Sequence, residues 1–116
     1  MPVLLLCSGK DYELACVVDE QDAVFAAERG NWFVTHAKDP NAKRYAVRSE
    51  RGVLLFLDKL VLIRSGVRPP SPNHTIGDHI DGNSLNNTRS NLRWATPQMN
   101  ARNRFGLSAM QLEFDL

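Results

Sequence analysis

The residues best suited to chemistry lie between positions 78 and 104. Asp78 and His79 are adjacent, and six asparagines lie between positions 83 and 103. Carboxylate and amide oxygens are hard ligands that suit Mg²⁺ or Mn²⁺ better than Zn²⁺, and a histidine takes up a proton near neutral pH. Asparagine is a poor filler for helices and strands, and it is useful where side-chain amides pin a loop or bind a cation. The segment therefore has residue types that could bind a cation, whereas an Asp-His pair considered alone is most often a surface feature.

A short series of elements is predicted to position these residues. The sequence indicates a strand, a turn, a return strand and a helix, over 76–80, 81–83, 92–95 and 98–104. Thr96-Pro97 favours a helix start, because proline's missing N–H is not needed there, and Gly106 favours the helix end. Asp78 and His79 point to opposite faces of an ideal strand. They reach one site only if the strand is distorted or if one of them acts through its main chain, and the sequence leaves this open.

The first 66 residues are predicted to form a small β-rich part with short helices. Apolar runs between turn residues predict strands at 3–7, 12–18, 32–36, 43–48 and 53–57, with turns at 39–41 and 50–52. The last three strands are expected to form a small antiparallel sheet over residues 31–57. Helices are predicted over 23–28, between the N-cap Asp19 and Gly30, and over 58–64, before Gly66. The prolines of residues 65–73 predict a linker or an extended loop.

The composition is that of one globular domain, with or without a small appendage. The net charge is −4 over residues 1–40 and +7 over residues 41–112. Because arginine makes bidentate contacts to phosphate, the basic surplus indicates a polyanionic partner, with a solvated basic face as the alternative. No apolar run reaches the roughly 18 residues of a membrane span, and residues 3–7 are too few for a signal peptide. A cytoplasmic protein is therefore expected, with Cys7 and Cys16 buried.

The spacing of the polar residues resembles the motif of the HNH endonucleases of phages and mobile introns. That motif runs from Asp-His through a glycine turn and an Asn-Asn loop to Asn-Leu-Arg/Glu-Trp, and then to an asparagine on a helix followed by basic residues. Its counterparts here are Asp78-His79, Gly82, Asn86-Asn87, Asn91-Leu92-Arg93-Trp94 and Asn100. The resemblance covers roughly residues 12–104, since the upstream strands and the helix after them are also similar to those proteins.

The resemblance implies an α+β fold. A ββα-metal motif, residues 67–106, would follow the β-rich part, residues 1–66, with a tail at 107–116. His79 would be the general base, and Asn91 would brace the loop and orient His79. Asp78 and Asn100 would hold one divalent cation, Mg²⁺ or Mn²⁺. Phosphate contacts are expected from four arginines: Arg89, Arg93, Arg102 and Arg104.

The implied function is that of a metal-dependent HNH endonuclease that hydrolyses double-stranded DNA, and one motif is expected to nick one strand. Two alternatives stay open. One is an HNH-like DNA-binding or inhibitory protein with lost or weak turnover, and the other is a phage packaging accessory nuclease that works with a terminase. The first alternative is favoured by Leu57-Asp58-Lys59, which stands where the family usually has Leu/Met-His-Arg. Lysine lacks the bidentate fork of arginine.

Overall fold

The computed structural model describes residues 1–9, 13–35 and 42–104. Several sequence predictions lie outside these residues, namely those on His36, the turn at 39–41, Gly106 and the tail at 107–116. The described residues form a mixed α+β structure with a five-stranded sheet and a two-stranded sheet. No helix within the three described ranges is long and apolar enough to cross a membrane.

The first part of the chain forms the five-stranded sheet. Its elements are β1 (Pro2–Ser8), β2 (Glu13–Asp19), helix α1 (Glu20–Arg29), β3 (Trp32–Val34), β4 (Ala46–Glu50) and β5 (Val53–Phe56), and the strand order is β2-β1-β3-β4-β5. β3, β4 and β5 pair in antiparallel fashion, as the sequence predicts for residues 31–57. β1 and β3 run parallel. A parallel pair requires a crossover connection, and α1 lies in that connection.

Two glycines explain how the chain turns at the ends of these elements. Arg51 and Gly52, between β4 and β5, have φ of 52° and 79°. Two successive positive φ angles give the tight turn whose twist matches that of a hairpin. Gly30 ends α1 with a φ of 118°. A Cβ at Gly30 would lie 2.7 Å from Nη1 of Arg48, and the positive φ independently favours glycine at this position.

The last part of the described chain forms the two-stranded sheet and a helix. β6 (Ile76–His79) pairs in antiparallel fashion with β7 (Leu92–Ala95), and α3 (Pro97–Arg102) follows. A short 3₁₀ turn, Arg89–Asn91, precedes β7. The side chain of Thr96 caps α3 by accepting a hydrogen bond from the backbone N of Met99 at 3.2 Å. The predicted order of strand, turn, strand and helix is confirmed.

The hydrophobic core draws on both parts of the chain. Helix α2 (Leu57–Arg64) ends before Gly66 as predicted and buries one face against the large sheet. The buried cluster comprises Cys7, Cys16, Val18, Ala26, Trp32, Val34, Ala46, Leu57, Val61, Leu62 and Leu92. The predicted burial of both cysteines is confirmed, and their Sγ atoms lie 3.5 Å apart. Since Leu92 of β7 belongs to this cluster, the small sheet packs on the same core as the large one.

Backbone hydrogen bonds join the two sheets at the edge of β2. Val17 N donates to Leu85 O at 2.8 Å, and Asn87 N donates to Val17 O at 2.7 Å. The loop between β6 and β7 therefore pairs with β2 like a short extra strand and covers an edge that would otherwise be open. These bonds fix the position of Asn87 relative to the large sheet.

Candidate active site

Asp78 and His79 lie at the end of β6, and both are buried, with exposed fractions of 2% and 5%. Oδ2 of Asp78 accepts hydrogen bonds from Arg93 Nε at 2.8 Å and from Asn103 Nδ2 at 3.0 Å. Nε2 of His79 lies 2.9 Å from Oδ1 of Asn87. The two adjacent side chains thus have different partners, as expected for neighbours on a strand. The distortion that would direct both at one point is not needed to explain these contacts.

The contact with Asn87 determines which nitrogen of His79 is basic. An amide oxygen only accepts hydrogen bonds, so Nε2 of the neutral ring carries the proton. The lone pair then resides on Nδ1, the nitrogen left to accept a proton. Nδ2 of Asn87 is buried, and hydrogen bonding from Asn87 to the thiol of Cys16 opposes the rise in pKa that the Cys7 thiol and burial cause there.

Asp58 places a carboxyl group beside the imidazole of His79. Its Oδ2 lies 3.9 Å from Nε2 of His79, and the residue is 5% exposed. Burial raises the pKa of the Asp58 carboxyl, and the nearby imidazole and Lys59 only partly oppose this effect. A Cβ on Gly77 would lie 2.7 Å from Oδ1 of Asp58, so glycine at this position of β6 admits the carboxylate. The ring of Tyr45 covers another side of His79, with the ring centroids 6.1 Å apart.

Asn91 braces the loop that follows β6. Its Nδ2 donates to Asp81 Oδ1 and to Asn86 O, both at 2.9 Å, and its Oδ1 accepts from Asp81 N at 3.0 Å. The sequence also predicts that Asn91 orients His79. Among the described residues, the side chains of Asn91 and His79 are not directly hydrogen-bonded to each other. The side chain of His79 is instead hydrogen-bonded to Asn87, which the sequence analysis named only as part of the Asn-Asn loop of the motif.

Asn103 is a buried residue of the site to which sequence reasoning gave no role. It is 1% exposed and follows α3, and its Nδ2 donates to Asp78 Oδ2 at 3.0 Å, to His79 O at 2.9 Å and to Ile80 O at 3.2 Å. Its signal in the sequence is its spacing of three from Asn100, since residues three apart share one helix face. Asn103 therefore ties this face of α3 to Asp78.

Asn100 lines an open cavity of about 470 Å³. The other lining residues are Ala42, Lys43, Tyr45, Ala101 and Arg104. The cavity thus brings a predicted cation ligand and a predicted phosphate contact together with residues from the end of the β3–β4 connection. Nothing in the sequence placed Lys43 or Tyr45 at this site, because they precede Asn100 by more than fifty residues.

The four arginines predicted to contact phosphate have different surroundings. Arg89 donates from Nε and Nη2 to the two carboxylate oxygens of Asp22, each at 2.9 Å, and Asp22 is 1% exposed. Arg93 is hydrogen-bonded to the buried carboxylate of Asp78. Arg102 and Arg104 are exposed on and after α3.

The residues proposed to hold a divalent cation fit such an ion by their donor chemistry. The described residues contain no group of three His, Cys, Asp or Glu side chains arranged as a metal site. Asp78 and Asn100 instead offer one carboxylate and one amide oxygen. Mg²⁺ is commonly held by one or two carboxylates together with waters and phosphate oxygens, so a sparse set of oxygen donors suits it better than it suits Zn²⁺.

Comparison with known proteins finds similarity in the second part of the chain. A family model described as HNH endonuclease matches residues 66–102. A curated protein of Acanthamoeba polyphaga mimivirus, described as an uncharacterized HNH endonuclease, is 61% identical over 33 residues, which are 28% of this chain and 18% of that protein. The chain thus matches less than a fifth of this relative's length. No solved structure matches the chain.

Proposed function

We propose that this chain, whose residues 66–102 match a family model described as HNH endonuclease, is a metal-dependent nuclease that hydrolyses phosphodiester bonds of double-stranded DNA. The observation that carries the proposal is the hydrogen bond between Asn87 and Nε2 of His79. It leaves Nδ1 as the basic nitrogen, in the segment that the family model matches. A general base within reach of a water is the central requirement of such hydrolysis.

The roles proposed for Asp78 and Asn100 come from the resemblance, and those of Asn91 and Asn103 come from their contacts. β6, β7 and α3 would form the ββα-metal motif that the resemblance implies. Asp78 and Asn100 would hold one Mg²⁺ or Mn²⁺, which when bound supplies positive charge at the scissile phosphate. Asn91 keeps the loop closed behind His79, and Asn103 holds the Asp78 carboxylate. His79 accepts the proton of the attacking water at Nδ1.

DNA binding is proposed to rest on phosphate contacts. Arg102 and Arg104 are the exposed members of the predicted set. Arg89 and Arg93 are bonded to the buried carboxylates of Asp22 and Asp78, and these ion pairs favour a role in holding the loop and the site. Affinity is therefore expected to fall steeply with salt and to depend weakly on sequence.

A second candidate function is supported by the burial of the site. Asp78 and His79 are almost inaccessible, and the buried carboxyl of Asp58 occupies the position where the resemblance places a histidine. Both features favour an HNH-like DNA-binding protein with weak or lost turnover. Whether a nuclease of this kind would act in homing or beside a phage terminase is a separate proposal, and a gene-neighbourhood comparison tests it.

The deciding experiment follows cleavage of supercoiled plasmid by the full chain with Mg²⁺, with Mn²⁺ and with EDTA. Nicking predicts that open circle accumulates before any linear product, and that EDTA abolishes the reaction. His79→Ala is expected to lower the rate by about 10²–10⁴-fold, because a general base contributes that much, and to leave DNA affinity nearly unchanged. Activity of the wild type in EDTA would contradict metal dependence. DNA binding without cleavage under all conditions would favour the second candidate.

A further inference from the structure

Lys43 comes from the β-rich part but is fastened to the turn after β6. Its Nζ donates to Gly82 O at 2.8 Å, across 39 positions of sequence. The neighbouring Arg44 O accepts a hydrogen bond from Ser84 Oγ. Two contacts therefore hold this short segment against the loop that contains the catalytic motif. Lys43 lies outside residues 66–102, the segment that the family model matches.

The cavity beside Lys43 is suited to an anion. Lys43 and Arg104 both line it, and Asn100 lies in the same wall. Burial lowers the pKa of Lys43, the carboxylates of Asp78 and Asp81 oppose this effect, and the cation of Arg104 adds to it. These groups are the charges that Lys43 meets from β6, from the turn and from the residues after α3. Two cationic side chains beside an amide form a combination that recognises phosphate oxygens.

We propose that Lys43, together with Arg104, forms a phosphate-binding subsite for the DNA strand in this cavity, next to Asn100. The subsite rests on the proposed function, because the phosphate it holds belongs to the strand that is cleaved. A lysine ammonium has three donors, and the bond to Gly82 O uses one of them. The bond to Gly82 O fixes the position of the Lys43 ammonium group, so its remaining two N–H donors are available in the cavity to bind a phosphate oxygen.

The test measures binding and does not require cleavage. The full chain carrying His79→Ala binds a short duplex at several salt concentrations, with and without Lys43→Gln. Glutamine removes the charge and keeps an N–H donor on a side chain one bond shorter than that of lysine, and Lys43→Arg keeps both charge and donors. The matched control is Arg68→Ala, which removes one cation from the exposed residues before β6.

Lys43→Gln is expected to weaken binding about tenfold and to reduce the salt slope by about one phosphate contact. Lys43→Arg is expected to restore both quantities, and Arg68→Ala to leave the slope near that of the parent. Melting temperatures show whether each variant is folded. A Lys43→Gln protein that keeps the parent salt slope would overturn the proposal and leave Lys43 as a fastening for Gly82 alone.

Two further outcomes separate this proposal from neighbouring ones. Inorganic phosphate in the cavity would compete with the strand, so displacement of the duplex beyond the ionic-strength effect that Lys43→Gln abolishes would support the subsite. Phosphate binding that requires Lys43 but leaves duplex affinity unchanged at constant ionic strength would mean that the cavity takes only the free anion, which overturns assignment to the strand. If the wild type shows no nuclease activity and the Lys43 effects on binding still appear, the subsite is supported and the proposed cleavage fails.

Discussion

The β-rich part and the segment after residue 76 bury different kinds of side chain. The described residues of 1–64 bury mostly apolar groups, and the buried charged residues among them are Asp22 and Asp58. Between 76 and 104 the buried hydrophobic residues are Leu92 and Ala95, against seven polar ones: Asp78, His79, Ser84, Asn87, Thr88, Asn91 and Asn103. Hydrophobic burial is non-directional, whereas buried polar groups require specific partners. The first part is therefore a packed support, and the second part is held in one geometry by hydrogen bonds.

The two buried carboxylates of the first part both contact the second. Asp22 binds Arg89, which precedes β7, and Asp58 lies beside His79. Asp22 and Asp58, the buried charged residues of the β-rich part, thus both contact residues of the candidate site segment. The difference between the two regions can be tested by mutation. Truncation of a core residue in the β-rich part should mainly lower stability, whereas truncation of a buried polar residue after position 76 should also affect function.

The largest effect on stability is expected from truncation in the apolar core. Leu57→Ala should lower the free energy of unfolding by about 2–5 kcal/mol, since a buried leucine leaves a cavity when it is removed. Leu57 is 1% exposed, and Ile63 on the same helix is 65% exposed. Ile63→Ala is therefore the control, with a change within about 0.5 kcal/mol. Urea denaturation followed by circular dichroism measures both, and equal changes would contradict the assignment of the core.

A smaller effect on stability, joined to loss of function, is expected in the polar segment. Asn103→Ala leaves Asp78 and two backbone carbonyls short of a donor and should cost about 1–3 kcal/mol. Asn100→Ala, one helical turn earlier, should cost less stability but reduce the response of cleavage to Mg²⁺. The measurements are a melting curve and a metal titration for each variant. If the two variants lose the same stability and keep the same titration, Asn103 and Asn100 do not have separate roles.

The smallest effect concerns Asp22 and appears as pH dependence. Burial alone would raise its pKa, but hydrogen bonds from Arg89 and Arg64 outweigh this and hold the pKa below its ordinary value. A lowered pKa in the folded state means that the pair stabilises the protein at neutral pH, and that this contribution is lost as the pH falls through the folded pKa. Asp22→Asn should lower the free energy of unfolding by about 1 kcal/mol at neutral pH. It should also make the free energy of unfolding fall less steeply as the pH is lowered.

The control for Asp22 lies on the same helix. Glu28 is exposed near the end of α1, and Glu28→Gln should leave the acid limb of the stability curve unchanged. Denaturation midpoints between neutral pH and about pH 3 measure both variants. If Asp22→Asn loses stability below neutral pH as steeply as the wild type does, the ion pairs of Asp22 with Arg64 and Arg89 do not contribute to the pH dependence of stability.

The sequence by itself determined the local elements and the polar motif. The strands predicted at 76–80 and 92–95, the cap at Thr96 and the glycines after the first two helices follow from patterns of a few neighbouring residues. The structure confirms them, with the first strand ending at His79. Tertiary structure alone decided the parallel pairing of β1 with β3, the approach of Asp58 and Asn87 to His79, and the placing of Lys43 beside Asn100. The physical reason is that each of these contacts joins distant residues through packing or a crossover, and no local periodicity records which distant partners a folded chain brings together.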